Sequence, residues 1–256
     1  MSNFDRNYAP FRGVATDRAV AYDMGLRAHM IRVYNYMTAG VALTGVVAWL
    51  TYQLAGGDAI HVAGRAVTGL TPFGEAVFLS PLKWVFILAP LGFVFFMSFR
   101  IEHLQATTAR LLFFIFASVM GLSLSIIFLV FTQTSITQVF FVSAAAFGAL
   151  SLYGYTTQRN LSAMGSFLFM GLIGLIIASL VNIFLASSML QWIISVAGVG
   201  IFAGLTAWDT QTIKEMYDPM DDGTVAGKKS VMGALNLYLD FINMFQFLLQ
   251  LIGDRR

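Results

Sequence analysis

The chain has 256 residues, 58% of them hydrophobic and only 11% charged, with a formal net charge of +2. That balance excludes an ordinary soluble domain and offers nothing specific to nucleic acid, and in so apolar a chain the basic residues report topology instead. The absence of cysteine excludes disulfides and thiolate metal sites.

Apolar stretches of about 18 residues or more recur from end to end, the length a helix needs to cross a bilayer. The short alternating segments of a membrane β-barrel are not seen. The expected class is all-α, a polytopic membrane protein built as a seven-helix bundle. Its parts are a cytoplasmic N-terminal tail over 1–32, a seven-transmembrane-helix domain over 33–253 and a C-terminal tail over 254–256. No cleavable signal peptide is expected, because the first apolar run follows a long mixed stretch. Ser2 stands where myristoylation needs glycine, and a chain without cysteine carries no prenylation box.

In the tail, Val20, Met24, Leu26 and Met30 fall at helical spacing. They mark either an amphipathic helix on the membrane or an extension of the first span. The predicted spans are 33–54, 82–99, 111–132, 139–155, 166–186, 192–214 and 231–253. Between the first two lies a glycine-rich segment, 55–81, holding Asp58, His61 and Glu75. Their spacing matches no metal-ligand pattern, and we read a solvated loop. His29, His61 and His103 are far apart and suggest no zinc site.

Arg6, Arg12, Arg18, Arg27, Arg32, Arg100, Arg110, Arg159, Lys214, Lys228 and Lys229 all fall on one side if the spans alternate. By the positive-inside rule that side is cytoplasmic and includes the N-terminus, in a cell (inner) membrane. Arg255 and Arg256 oppose this assignment, and a last helix that stops short of crossing would relieve the conflict.

Two acids sit where acids are costly. Asp209 lies near the end of span six and Asp240 inside span seven, whereas other acidic residues fall outside the apolar runs or at their edges. Asn236, Asp240 and Asn243 follow i, i+4, i+7 spacing and share one face, with Gln246 and Gln250 continuing close to it. A helix with such a seam belongs at the centre of a bundle or beside a water-filled cavity. Thr206 and Asp209 share a face of span six. If spans six and seven form a hairpin, the two carboxyls reach comparable depth. Two carboxylates about 5 Å apart at an effective dielectric near 20 repel by ~3 kcal/mol. Such a pair would share one proton near neutral pH and titrate as a unit. Losing that proton leaves two anions that repel or admit a hard cation such as Ca²⁺, so proton and calcium would compete. The plain reading of Asp209 is a salt-bridged residue near the interface, with Arg100 as an available partner. Asp240 lies deeper and resists that reading.

Span six reads Ala203-Gly-Leu-Thr-Ala-Trp-Asp-Thr-Gln-Thr-Ile213, and span seven reads Gly233-Ala-Leu-Asn-Leu-Tyr-Leu-Asp-Phe-Ile-Asn243. With segments 107–125 and 147–161, these resemble the bacterial form of the Bax inhibitor-1 (transmembrane BAX inhibitor motif) family. The resemblance implies a seven-helix fold with the last helix wrapped by the other six. It implies a pH-sensitive calcium leak with a di-aspartyl sensor, here Asp209 and Asp240, and an arginine latch, here Arg100. Thr206, Asn236 and Asn243 would be polar neighbours of the path. It implies no cofactor, with Ca²⁺ as the permeating or transiently bound ion. A second implied role is binding and restraining a membrane-bound ATP-dependent protease, for which the N-terminal tail would serve.

An intramembrane aspartyl protease also places one aspartate on each of two neighbouring spans. Its second aspartate follows Gly-x-Gly, whereas Leu237-Tyr238-Leu239 precede Asp240, and its Pro-Ala-Leu box is missing, so no enzyme is expected. The run Asp218-Pro-Met-Asp-Asp-Gly223 lacks the alternating acids and distal Glu of an EF-hand and reads as a turn. Gly200 and Gly204, four apart, fit close helix packing.

Overall fold

A computed structural model of the chain describes residues 10–63, 66–100 and 104–256. Helix α1 runs unbroken from Pro10 to Leu54. At 1.5 Å per residue its 45 residues span about 67 Å, more than twice the ~30 Å hydrocarbon core. The helical spacing in the tail therefore belongs to an extension of the first span. No break separates tail from bundle at residue 32, and residues 1–9 lie outside the described residues.

The segment predicted as a solvated loop folds instead into a small cap. It contains a 3₁₀ turn (Gly57–Ala59), an antiparallel hairpin of β1 (His61–Ala63) and β2 (Ala66–Thr68), and α2 (Pro72–Gly74), which continues as a π turn, Glu75–Leu79. Ile60, Val77 and Phe78 close over Tyr52, Ala55 and Leu129 as a second small core. Gly69 holds a left-handed φ of 80° that lets the cap fold back on itself. Asp58 accepts from the Tyr52 hydroxyl at 3.5 Å and from Gln133 Nε2 at 3.2 Å, while His61 and Glu75 are exposed. The sequence pattern concealed this cap because its apolar residues are spread among glycines with no single period.

Helix α3 (Leu82–Arg100) carries Pro90 and leaves the π turn at a 66° bend. The third span is broken: α4 (Ala106–Leu124) and α5 (Ile127–Val130) are separated at Ser125 and Ile126. Then come α6 (Gln133–Thr156), α7 (Ser162–Leu185), α8 (Ser188–Glu215) and α9 (Gly223–Ile252). Among the described residues six helical segments, α4 and α5 counting as one, are long and apolar enough to cross a membrane, or seven where the bent pair of α2 with its π turn and α3 is taken as one span. The protein is thus an all-α polytopic membrane protein.

Helix α9 packs against α8, α1, α6 and α4. Of its membrane-spanning window 56% is buried inside the bundle, against 11% for α7, so α9 is central and α7 peripheral. This is the position its polar seam demands. It also runs the full length of the bundle. Near its start Ser230 meets His29 of α1, and beyond its end Arg256 Nη1 donates to the Tyr52 hydroxyl at 3.2 Å. Helix α9 therefore does not stop short within the bundle. Arg255 lies over the Phe131 ring and Arg256 over the Tyr52 ring, while Arg256 N donates to Val130 O.

Close backbone approach fixes α6 on α8. A Cβ at Gly154 would overlap the backbone of Ala207, so only glycine fits there. Gly154→Leu is expected to destabilise the bundle by about 1–3 kcal/mol or more, as overpacking does, and to lower its melting temperature in detergent. Gly174→Ala, which meets nothing within 4 Å, should leave that temperature unchanged. Of the Gly200–Gly204 pair, only Gly204 meets a neighbour, the Leu168 side chain of α7.

Candidate functional site

Seven residues, 216–222, turn α8 into α9. The acids of this turn shape it. Asp222 caps α9 by accepting from Thr224 N at 2.8 Å and Val225 N at 2.7 Å. Asp221 pairs with Lys229 at 2.6 Å, and Asp218 accepts from Met220 N at 2.9 Å. The cap starts α9 at Gly223, so half of the expected loop is helix. The first turns of α9 project beyond α8 and pack on α1 and α4, with Gly227 against Ala106.

Beyond those turns the two helices share an antiparallel seam. Positions 195, 198, 202, 206, 209 and 213 form one face of α8, and 233, 236, 240, 243, 247 and 250 one face of α9. At one end Ser195 Oγ lies 3.4 Å from Gln250 Oε1, which also accepts from Gln191 Nε2 at 2.6 Å. Asn182 joins this amide group through Gln191 at 3.1 Å, lining a cavity of about 600 Å³. Next, the Phe247 ring rests on Gly198 and stacks on Phe202 with centroids 5.9 Å apart and planes at 23°. Further along come Asp209 and Asp240, and then Ile213 against Gly233.

Asp209 and Asp240 are 9% and 4% exposed, and their carboxyls lie close enough to interact directly. Asp240 Oδ2 is buried without a protein donor, and among the described residues no basic side chain pairs with either carboxyl. Asp240 lies 12 residues from Ile252, about 18 Å along the helix, so the couple sits inside the bundle.

The other residues singled out from sequence are placed unequally. Thr206 is fully buried and donates to Phe202 O at 2.8 Å. Asn243 donates to Leu239 O at 2.8 Å, turning its amide onto its own helix, and Asn236 is half-buried one turn before Asp240. Arg100 is not brought to Asp209: it is exposed at the last residue of α3, with no ion pair among the described residues. Helix α3 packs on α4, so its terminal guanidinium is not delivered to α8.

Several polar contacts have no sequence signal beyond a hydroxyl in an apolar run. Tyr34 donates to Ser151, Ser151 to Thr210 Oγ1 at 3.0 Å, and Thr210 to Thr206 O at 2.8 Å, tying α1, α6 and α8 beside the couple. Tyr238 donates to Thr44 at 2.6 Å and Thr44 to Ala117 O at 2.8 Å, tying α9, α1 and α4. Each chain ends on a carbonyl, so every hydroxyl proton has an acceptor.

Residues 26–256 match the family described as "Inhibitor of apoptosis-promoting Bax1". An uncharacterized protein of Rickettsia prowazekii is 45% identical, over 94% of this chain and 95% of its own. The inner membrane protein YbhL of Escherichia coli is 44% identical, over 94% of this chain and 97% of its own. An uncharacterized membrane protein of Streptococcus pyogenes is 33% identical, over 90% and 94%. With these matches spanning almost the whole bundle and its central C-terminal helix, the chain belongs to the Bax inhibitor-1 family.

Proposed function

We propose that the chain is a pH-sensitive calcium leak in a cell (inner) membrane, N-terminus cytoplasmic, with the Asp209–Asp240 couple as its proton sensor. The observation that carries this reading is the close approach of two buried carboxyls that have no cationic partner among the described residues. A carboxyl–carboxyl hydrogen bond needs a proton on one partner. Removing it leaves two anions side by side, a repulsion of ~3 kcal/mol at about 5 Å and an effective dielectric near 20. The seam then opens between α8 and α9, or a hard cation takes the place of the proton on the same oxygens.

The rest of the seam fits a path that is shut. Polar groups lie on both sides of the Phe202–Phe247 stack: Gln191, Ser195 and Gln250 beyond it, Thr206 and the carboxyl couple before it. Because the shut form is the one that brings the two carboxyls together, proton loss favours the open form. In proteoliposomes holding a calcium-sensitive dye, calcium entry is expected to rise with pH across the range where the couple gives up its proton. A flux that does not change with pH refutes this reading.

A further inference from the structure

Helices α1 and α6 both pack on the central α9, and between them they leave a groove of about 630 Å³. Its walls include Arg27, Tyr34 and Val41 of α1 and Gly148 and Tyr155 of α6, with Phe241 of α9 as floor. The rim residues Ile31 and Leu152 are 48% and 63% exposed, so the groove opens sideways, toward the surrounding lipid.

Its length and its ends say what it holds. From Arg27 to Val41 the groove follows 14 residues of α1, about 21 Å, somewhat more than half of the ~30 Å hydrocarbon core. That is the depth of one leaflet with its headgroup level. The deep end, at Val41 and Phe140, is wholly apolar. The other end is cationic. Arg27 is exposed there, and Lys214 Nζ sits 5.3 Å from the Tyr155 ring centroid while donating to Tyr155 O at 2.9 Å. Asp23, one helical turn before Arg27 on α1, makes no ion pair with it among the described residues.

We propose that the groove binds one acyl chain of an anionic phospholipid from the leaflet on the Arg27 side, with Arg27 holding the phosphate. A guanidinium matches a phosphate through parallel N–H donors, and basic pockets between membrane helices select anionic headgroups. The site stands apart from the leak reading, since it needs neither the couple nor calcium.

Gly148 supplies the sharpest test. A Cβ there meets nothing within 4 Å, so Gly148→Leu starts from open space as it fills the groove, and it raises helix propensity. Purified protein in detergent would be titrated with phosphatidylglycerol and with phosphatidylcholine and bound lipid counted by native mass spectrometry. The wild type is expected to prefer phosphatidylglycerol by about tenfold, the equivalent of one charge-assisted contact. Arg27→Ala should abolish that preference while phosphatidylcholine still binds, and Gly148→Leu should reduce binding of both lipids. Equal binding of the two lipids by the wild type overturns the proposal. So does phosphatidylglycerol binding that neither substitution alters in protein whose melting temperature is unchanged.

Discussion

Asp240→Asn is expected to hold calcium flux in proteoliposomes at its low, acid-limit level at every pH. The amide is a neutral near-isostere of the protonated acid and donates to Asp209 as that acid does, so the carboxyl–carboxyl bond is replaced by a permanent amide–carboxylate one. The wild-type repulsion of ~3 kcal/mol between the ionised pair corresponds to roughly a hundredfold change in the ratio of open to shut forms. Wild-type flux should therefore vary by up to about that factor between its acid and alkaline limits. The variant should vary by less than about twofold, because only one ionisable partner remains and it has no second anion to repel. Asp209→Asn should flatten the profile in the same way. Both variants tracking the wild-type curve would remove the couple as the sensor. Loss of all flux together with a lowered melting temperature in only one variant would show that residue to be structural instead.

The central helix was legible from residue types and spacing alone. Asn236, Asp240 and Asn243 recur at the helical period in an otherwise apolar run, and that pattern is costly against lipid. The meeting of Asp209 with Asp240 was legible only as an expectation. The register of α9 on α8 depends on where α9 begins, and that start is set by the Asp222 cap inside what spacing presents as a loop. The cap over 55–81 and the unbroken α1 were hidden for opposite reasons. The first has no period, and the second has a helical period that a surface helix would show equally. The hydroxyl chains through Ser151 and Thr44 were invisible because a serine or threonine in a membrane helix usually bonds its own backbone, as Ser143 and Ser179 do here. Arg100 shows the limit of position as a guide. Its place at the end of α3 was readable, but which helix α3 packs against was not.

Removing the Phe247 ring should open the seam where the carboxyl couple still keeps it shut. The ring fills the space between Gly198 and Phe202 and separates the amide group around Gln250 from Asp209 and Asp240. Phe247→Ala deletes that barrier and leaves both carboxyls in place. Calcium flux at the acid limit is therefore expected to rise by about tenfold or more, while the remaining pH dependence keeps its midpoint, since the proton site is not touched. Phe247 is half-buried, so its truncation costs less than the ~3–5 kcal/mol of a fully buried Phe→Ala change, and flux must be compared in protein shown by thermal melting to be folded. Phe247→Leu keeps most of the volume and should fall between the two. Gly198→Ala probes the same contact from the other helix: a Cβ there would stand 2.6 Å from the Phe247 ring and push it off the seam. Acid-limit flux equal to the wild type in both Phe247→Ala and Gly198→Ala would show that the aromatic stack does not bar the path, whatever becomes of the carboxyl couple.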